Sequence, residues 1–453
     1  MKRLLLGLFC FGIINSFSIV QAEVPFSLDG AVEYALKNNE ALKAASFSLD
    51  AEKQEIGIAK STFSPVVSLE ERAMRTNNPG YALSIKMNQH RFSALDLSGA
   101  PDTFNSPGTL NDYQTAITFE QLLISHQADL GIAMAQKSFA AKRADYEQKK
   151  QEIVINVVQS YLSVQTATQF KVVSEKTIAD AQEHLRVAEA RYTAGVGLYS
   201  DVLRAKTAVT DAQQRLISSE KNVNVAKRQL GLVIGIDGPA EINSVLPFEE
   251  SVKPIEYYYS AALNRSDIVA LNLQTENAGT NVKFAQAGHL PVLAISGTYQ
   301  MNDANTLLGS EGDSWLVTAL FKWNVFDGNK TASEVNKAKL KQMEMATGLA
   351  GLRKTVQFKV YDDYLAVEEA VKNVELAKDS LASAEEGKRL IELRYTSSLA
   401  PIVDLLDAQL NLDNARVSLV ARENDYRYAV ARLEFESGII LKANEKAGEV
   451  KAQ

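Results

Sequence analysis

The chain has 453 residues, with 55 acidic and 48 basic side chains, four histidines and one cysteine. A net charge of -7 argues against a nucleic-acid partner, which would ask for a basic surface. One cysteine excludes an intramolecular disulfide framework and a multi-cysteine zinc site. His90, His126, His184 and His289 lack metal-ligand spacing. With no Ser-His-Asp order and no phosphate loop, the sequence predicts neither an enzyme nor a cofactor. The glycines between Gly231 and Gly238 follow no strand and so make no dinucleotide site.

Residues 1–22 read as a secretory signal peptide. Lys2 and Arg3 precede an almost wholly apolar run from Leu4 to Ile14, and Val20-Gln21-Ala22 offers a cleavage pattern. No later segment is long and apolar enough for a membrane helix. An exported chain of this kind is either soluble or inserted as a β-barrel.

The rest is a duplication. Arg191-Tyr192-Thr193 recurs as Arg394-Tyr395-Thr396, and at the same offset of 203 Asp201 matches Asp404 and Gly235-Ile236 matches Gly438-Ile439. Upstream, Ser64-Pro65-Val66 aligns with Leu290-Pro291-Val292 at an offset of 226. The first half thus carries about 24 extra residues between Pro65 and Phe119. The expected domains are a first repeat at 23–238, a second at 239–440, and a disordered tail at 441–453.

Each repeat reads helix, strand, strand, long helix, helix. Ser27 is placed to cap the first helix, which breaks near Asn38-Asn39 and stops at Pro65. Its counterpart runs from Ile255 to Gly288. Val66–Thr76, the stretch around Tyr113–Glu120, the stretch around Leu293–Met301 and Trp315–Val325 alternate as strands. Asn77–Asp112 is a long loop rich in Gly, Pro, Asn and Ser, and Asn302–Asp313 is a short one. The strand pattern alone fits both a soluble hairpin on a helix and a membrane barrel.

His126–Ala194 and Lys330–Ser397 contain no proline. At 1.5 Å per residue, each would make a rod of roughly 100 Å. Ile178, Ala181, Leu185, Ala188 and Tyr192 step by 3, 4, 3 and 4, the spacing of a left-handed coiled coil. Tyr192 and Tyr395 fall on these packing positions. The helices turn at Gly195–Tyr199 and at Ser398-Leu399-Ala400. Returning helices start at Ser200, a candidate cap, and at Pro401, placed as a first helical residue. Four strands cannot close a membrane barrel: two chains would supply eight and three would supply twelve.

This plan resembles the TolC-like outer-membrane efflux channels over about residues 26–440. The carriers are the duplication, the segment Trp323-Asn324-Val325-Phe326-Asp327-Gly328, and the paired tips beginning at Arg191 and Arg394. The resemblance implies a mainly α fold with a small membrane β-barrel part, in which the duplicated unit forms a trimeric α-barrel/β-barrel tube. It implies a homotrimer in outer-membrane lipid that reaches into the periplasm and works with a periplasmic adaptor protein and an inner-membrane pump. Its expected role is the passive exit duct of a tripartite efflux or type I secretion system. A soluble periplasmic coiled-coil adaptor is the alternative. Two departures stand out: Gln121–Gln127 is degenerate against Trp323–Gly328, and Ala400 stands where some members carry a basic residue that helps lock the entrance.

Asp404 and Asp407, three apart, share a helix face, and the resemblance puts them, with Asp201, at an acidic pore constriction. Aspartates in a first helical turn also serve the helix dipole, so both roles stand. Gly195, Val196, Gly197, Leu198, Ser398 and Leu399 form the expected adaptor-docking tips. Trp315, Trp323, Tyr299 and Phe119 form the expected membrane-facing girdle.

Overall fold

The computed structural model describes residues 25–98, 101–243 and 252–441. The signal-peptide reading and all of the tail reading beyond residue 441 lie outside them.

The elements run α1 (Leu28–Asn38), α2 (Glu40–Ser61), β1 (Val66–Thr76), α3 (Pro79–Asn88), α4 (Ala94–Ser98), α5 (Asp102–Asn105), β2 (Leu110–Ile124), α6 (His126–Thr193) and α7 (Tyr199–Ile234). The second repeat gives α8 (Ile255–Ala262), α9 (Ser266–Gln286) and a short 3-10 turn. These lead to β3 (Val292–Asp303), β4 (Gly312–Lys322), α10 (Lys330–Thr396) and α11 (Ile402–Glu436). Helix α6 has 68 residues and α10 has 67, several times the usual helix length of about 11.

Local chemistry explains the boundaries. The Ser27 hydroxyl accepts the Gly30 N–H at 3.1 Å, and the Asn39 carboxamide oxygen accepts the Leu42 N–H at 3.1 Å. Asn39 therefore ends α1 and caps α2. The second repeat breaks at the equivalent place, with Arg265 at the N-cap of α9, so the segment Ile255–Gly288 is likewise divided. The expected loop at Asn77–Asp112 also holds structure. Asn78 accepts from the N–H groups of Gly80 and Tyr81, and Pro79 opens α3, a placement that uses no helical N–H of the proline.

Other expectations shift by a residue or two. Leu198, not Ser200, is the N-cap of α7, and it makes no side-chain cap bond. Pro401 precedes the first residue of α11 instead of occupying it. Tyr395 is buried, but Tyr192 is 49% exposed and packs at a tilt against Tyr199, with ring centroids 5.4 Å apart. The turn at Gly195 brings Tyr199 back beside Tyr192, and of the two tyrosines only Tyr395 enters the small core at the tip.

The strands form one antiparallel sheet in the order β1-β2-β3-β4. Each repeat supplies one hairpin, and β2 joins β3 across the repeats. Among the described residues the outer edges of β1 and β4 have no strand partner.

The chain divides into two compact units. One takes the described residues up to Asn38 with 156–249 and 373–428; the other takes 39–155, 250–372 and those after 428. In the first, α1 packs on α7, and Phe26 bridges to Ile242, its N–H donating to the Glu241 carbonyl at 2.8 Å and its carbonyl accepting the Asn243 N–H at 3.0 Å. In the second, Arg265 is buried. It donates to the Glu436 carbonyl at 2.7 Å and to the Glu436 carboxylate, and it forks onto Asp267 at 3.0 and 2.9 Å.

Candidate functional sites: a two-faced sheet and a paired helical tip

The sheet register sorts side chains by polarity. One row reads Leu69, Ile117, Tyr299, Trp315, and the next reads Val67, Phe119, Gly297, Val317. The opposite face carries Ser68, Thr118, Thr298 and Leu316 in one row, and Glu70, Ala116, Gln300 and Ser314 in another. Paired residues share a face and neighbours alternate, so one face is apolar and the other mainly polar. The apolar face is open: Trp315 is 74% exposed and Leu69 is 69% exposed.

Of the four girdle candidates, Tyr299 and Trp315 are direct cross-strand partners and Phe119 lies in the adjoining row. Trp323 lies apart, just beyond β4, where its indole N–H donates to the His289 carbonyl at 2.9 Å. Trp315 and Trp323 are eight residues apart. At roughly 3.3 Å per residue that is about 26 Å, close to the ~25 Å apolar band of a membrane barrel between its aromatic girdles. No described helix is long and apolar enough to cross a membrane.

The helical tip belongs to the other unit. Helix α6 ends with Gly195 at φ +75°. The Gly195 N–H bonds to the Tyr192 carbonyl and the Val196 N–H to the Arg191 carbonyl, at 2.9 and 3.0 Å. This is the Schellman closure of a helix. Helix α10 ends identically: Ser398 takes φ +64°, its N–H bonds to Tyr395, and the Leu399 N–H bonds to Arg394. Gly195 and Ser398 are equivalent in the duplication, so the second tip forces a serine into the conformation that favours glycine. Gly197 is required by space, since an added Cβ would sit 2.9 Å from the Tyr192 nitrogen. Val196 and Leu198 are both 66% exposed and Leu399 is 69% exposed.

Beneath the turns, Ala188, Val202, Ala205, Tyr395, Ile402 and Leu405 form a small core. Arg191 ties the two tips together. Its Nη1 donates to the carbonyls of Tyr395 and Thr396, at 2.9 and 3.3 Å, and its Nη2 donates to the Ser398 hydroxyl at 2.9 Å. The guanidinium also lies 5.0 Å from the centre of the Tyr395 ring. Burial pushes the Tyr395 phenol up; Arg191 opposes that and the Asp201 carboxylate adds to it.

Asp201 stands in the first turn of α7 and Asp404 in the first turn of α11. Asp404 and Asp407 are exposed on either side of buried Leu405. Asp407 lines a groove of about 500 Å³ with His184, Arg204 and Asp413. Behind it lies a polar network. The Gln409 amide donates to Asp180 and to Asp413, each at 3.0 Å, and Arg416 stands 3.5 Å from Asp413 and 3.8 Å from Asp180. Burial pushes the Asp413 carboxyl up and the His184 imidazole down. Sequence reasoning did not single out this network or the bridging role of Arg191. The duplication marked Arg191 only as half of a repeated motif, and its partners lie more than 200 residues away.

A chain with these two sites matches known proteins along nearly its whole length. The family model described as outer membrane efflux protein matches residues 31–235 and 257–438. The outer membrane efflux protein BepC of Brucella suis is 24% identical over 413 residues, covering 89% of this chain and 84% of that protein. The outer membrane protein TolC of Escherichia coli is 20% identical over 454 residues, covering 97% and 86%. The crystal structure of the Campylobacter jejuni CmeC outer membrane channel superposes with a TM-score of 0.74 at 18% identity, covering 97% of this chain and 94% of that one. The fold is thus that of the outer-membrane channels, and the chain belongs to the outer membrane efflux protein family.

Proposed function

We propose that the protein is the passive outer-membrane exit duct of an efflux or secretion assembly, fed by an inner-membrane pump through a periplasmic adaptor. The observation that carries this reading is the two-faced sheet with two unpaired edges. Three copies joined β4 to β1 would give twelve strands, with apolar rows toward lipid and polar rows toward a lumen. The repeats at 23–238 and 239–440 act as two pseudo-equivalent domains of each subunit. Trp315, Trp323, Tyr299 and Phe119 mark the lipid-facing girdle. Gly195–Leu198 and Ser398-Leu399 meet the adaptor through their exposed apolar side chains. The soluble-adaptor alternative is disfavoured by the family match and by the exposed aromatic rows.

At the tips, Asp404 and Asp407, with Asp201 nearby in the first turn of α7, line the narrow entrance. In a homotrimer, Asp404 and Asp407 supply six carboxylates. A narrow passage in a low-dielectric wall focuses their field, favouring cations and repelling anions. The test is single-channel conductance in a planar bilayer for wild type and Asp407→Ala. The expected result is small cation-selective currents with weaker selectivity in the variant. Unchanged selectivity would remove Asp407 as the filter. Absence from the outer-membrane fraction would remove the duct.

A further inference from the structure

The loop joining β3 to β4 folds down onto the apolar face of the sheet. Asp303 ends β3 on that face, since it shares the strand alternation of Tyr299. Its carboxylate accepts the N–H groups of Asn305 and Thr306 at 2.7 and 2.8 Å. Glu71 of β1 lies on the same face, in the row of Thr115 and Met301. It accepts the Leu308 N–H at 3.4 Å and the Thr115 hydroxyl at 2.5 Å. The loop therefore crosses β2 to reach β1. Burial agrees: Thr115 is 3% exposed, whereas Ile117, next on the same face, is 44% exposed.

This path holds two leucines in the open. Leu308 takes φ +59°, a conformation uncommon for any residue but glycine. Gly309 lets the chain close, because a Cβ there would lie 2.2 Å from an Asp303 carboxylate oxygen. Leu307 and Leu308 remain 62% and 67% exposed. The Asp303 and Glu71 carboxylates, which would otherwise border the apolar rows uncovered, are occupied by loop N–H groups.

We propose that Leu307 and Leu308 are a lipid-inserted anchor at the outer rim of the apolar face. The occupant is lipid because the loop continues the surface of Leu69, Tyr299 and Trp315, which carries no charge below Glu71. The N–H groups of Asn305, Thr306 and Leu308 are bonded to carboxylates, which removes donors that would be costly against hydrocarbon. This inference rests on the outer-membrane reading.

The test uses single-cysteine variants Leu308→Cys, Val317→Cys and Thr318→Cys in a Cys10→Ser background. Each carries an environment-sensitive fluorophore, and the full-length protein is reconstituted into phosphatidylcholine vesicles with or without brominated acyl chains. Val317 and Thr318 are neighbours on opposite faces of β4. The expected result is blue-shifted emission at positions 308 and 317 that brominated lipid quenches strongly, with no quenching at position 318. Quenching at 317 without quenching at 308 overturns the anchor and leaves the membrane reading standing. Disulfide cross-linking between subunits of the unlabelled Leu308→Cys protein likewise overturns the anchor alone. Loss of quenching at both 308 and 317, in protein shown to be folded, overturns the outer-membrane reading and the anchor with it.

Discussion

Nη2 of Arg191 donates to the Ser398 hydroxyl at 2.9 Å, so a residue from the first repeat holds the turn of the second. The contact falls at a point where the two repeats differ: Gly195 supplies a glycine at its turn and Ser398 does not. The guanidinium also donates to the Thr396 carbonyl and adds a second bond to the Tyr395 carbonyl, which already accepts the Ser398 N–H, so it helps answer the usual deficit of a helix C-terminus. Ala400 offers no charge of its own at this tip, and Arg191 supplies one from across the hairpin pair.

Arg191→Ala should therefore loosen the second tip selectively. Hydrogen bonds from a charged donor contribute about 1.5–3 kcal/mol each when intact, less where solvent reaches them. Amide exchange at Ser398 and Leu399 should speed up by at least tenfold, with little change along the middle of α10. Equal protection in wild type and variant would show that the bridge holds nothing.

The two tip glycines should fail differently. Gly195 has open space but a left-handed backbone, so Gly195→Ala should cost about 1–2 kcal/mol. Gly197 faces the backbone of Arg191 and Tyr192 within about 3.0 Å, so Gly197→Ala must displace main chain and should cost more. Thermal unfolding of the purified protein orders the two.

Arg265 and Glu436 form a buried pair whose side chains are 5% and 8% exposed. Removing Arg265 leaves the buried Glu436 carboxylate to the longer ion pair with Lys359 at 3.6 Å, and Arg265→Ala should destabilise the sheet-bearing unit by about 3 kcal/mol. The loss should exceed that of Lys37→Ala, whose i,i+4 partner Glu33 is exposed. Chemical denaturation of both variants makes the comparison.

Burial raises the Glu434 carboxyl from its ordinary value to about 7, with Lys253 opposing. The folded state then binds this proton more tightly than the unfolded chain does. Its contribution is complete below about pH 4.5 and is lost as pH rises to about 7, a change of up to about 3 kcal/mol. Glu434→Gln should flatten that limb and be more stable than wild type at pH 8. Melting temperatures from pH 4 to 8 would show it; parallel curves would refute it.

Much of the fold was legible in the sequence because it rests on local rules. Strand alternation, the proline stops at Pro65 and Pro291, and the proline-free runs each act within a few residues. Asn78 and Pro79 carry a local helix-start signal, yet it went unread inside a long Gly- and Pro-rich stretch. The position of the break at Arg265 escaped because arginine is no ordinary cap and is held there by Glu436, 171 residues away. The site divided in the same way. Asp404 and Asp407 share a face by spacing alone, whereas the Gln409 network and the crossing of Leu308 to Glu71 depend on residues that only the folded chain brings together.

The unpaired edges of β1 and β4 also bear on inheritance. In the three-copy ring proposed above, a subunit that lends an edge to each neighbour cannot be faulty in private. In a cell making both normal and edge-damaged chains, random mixing would leave intact rings only in proportion to the cube of the normal share. A proline placed in the middle of β4 should therefore behave as a dominant lesion, silencing most of the channels built from sound copies of the gene.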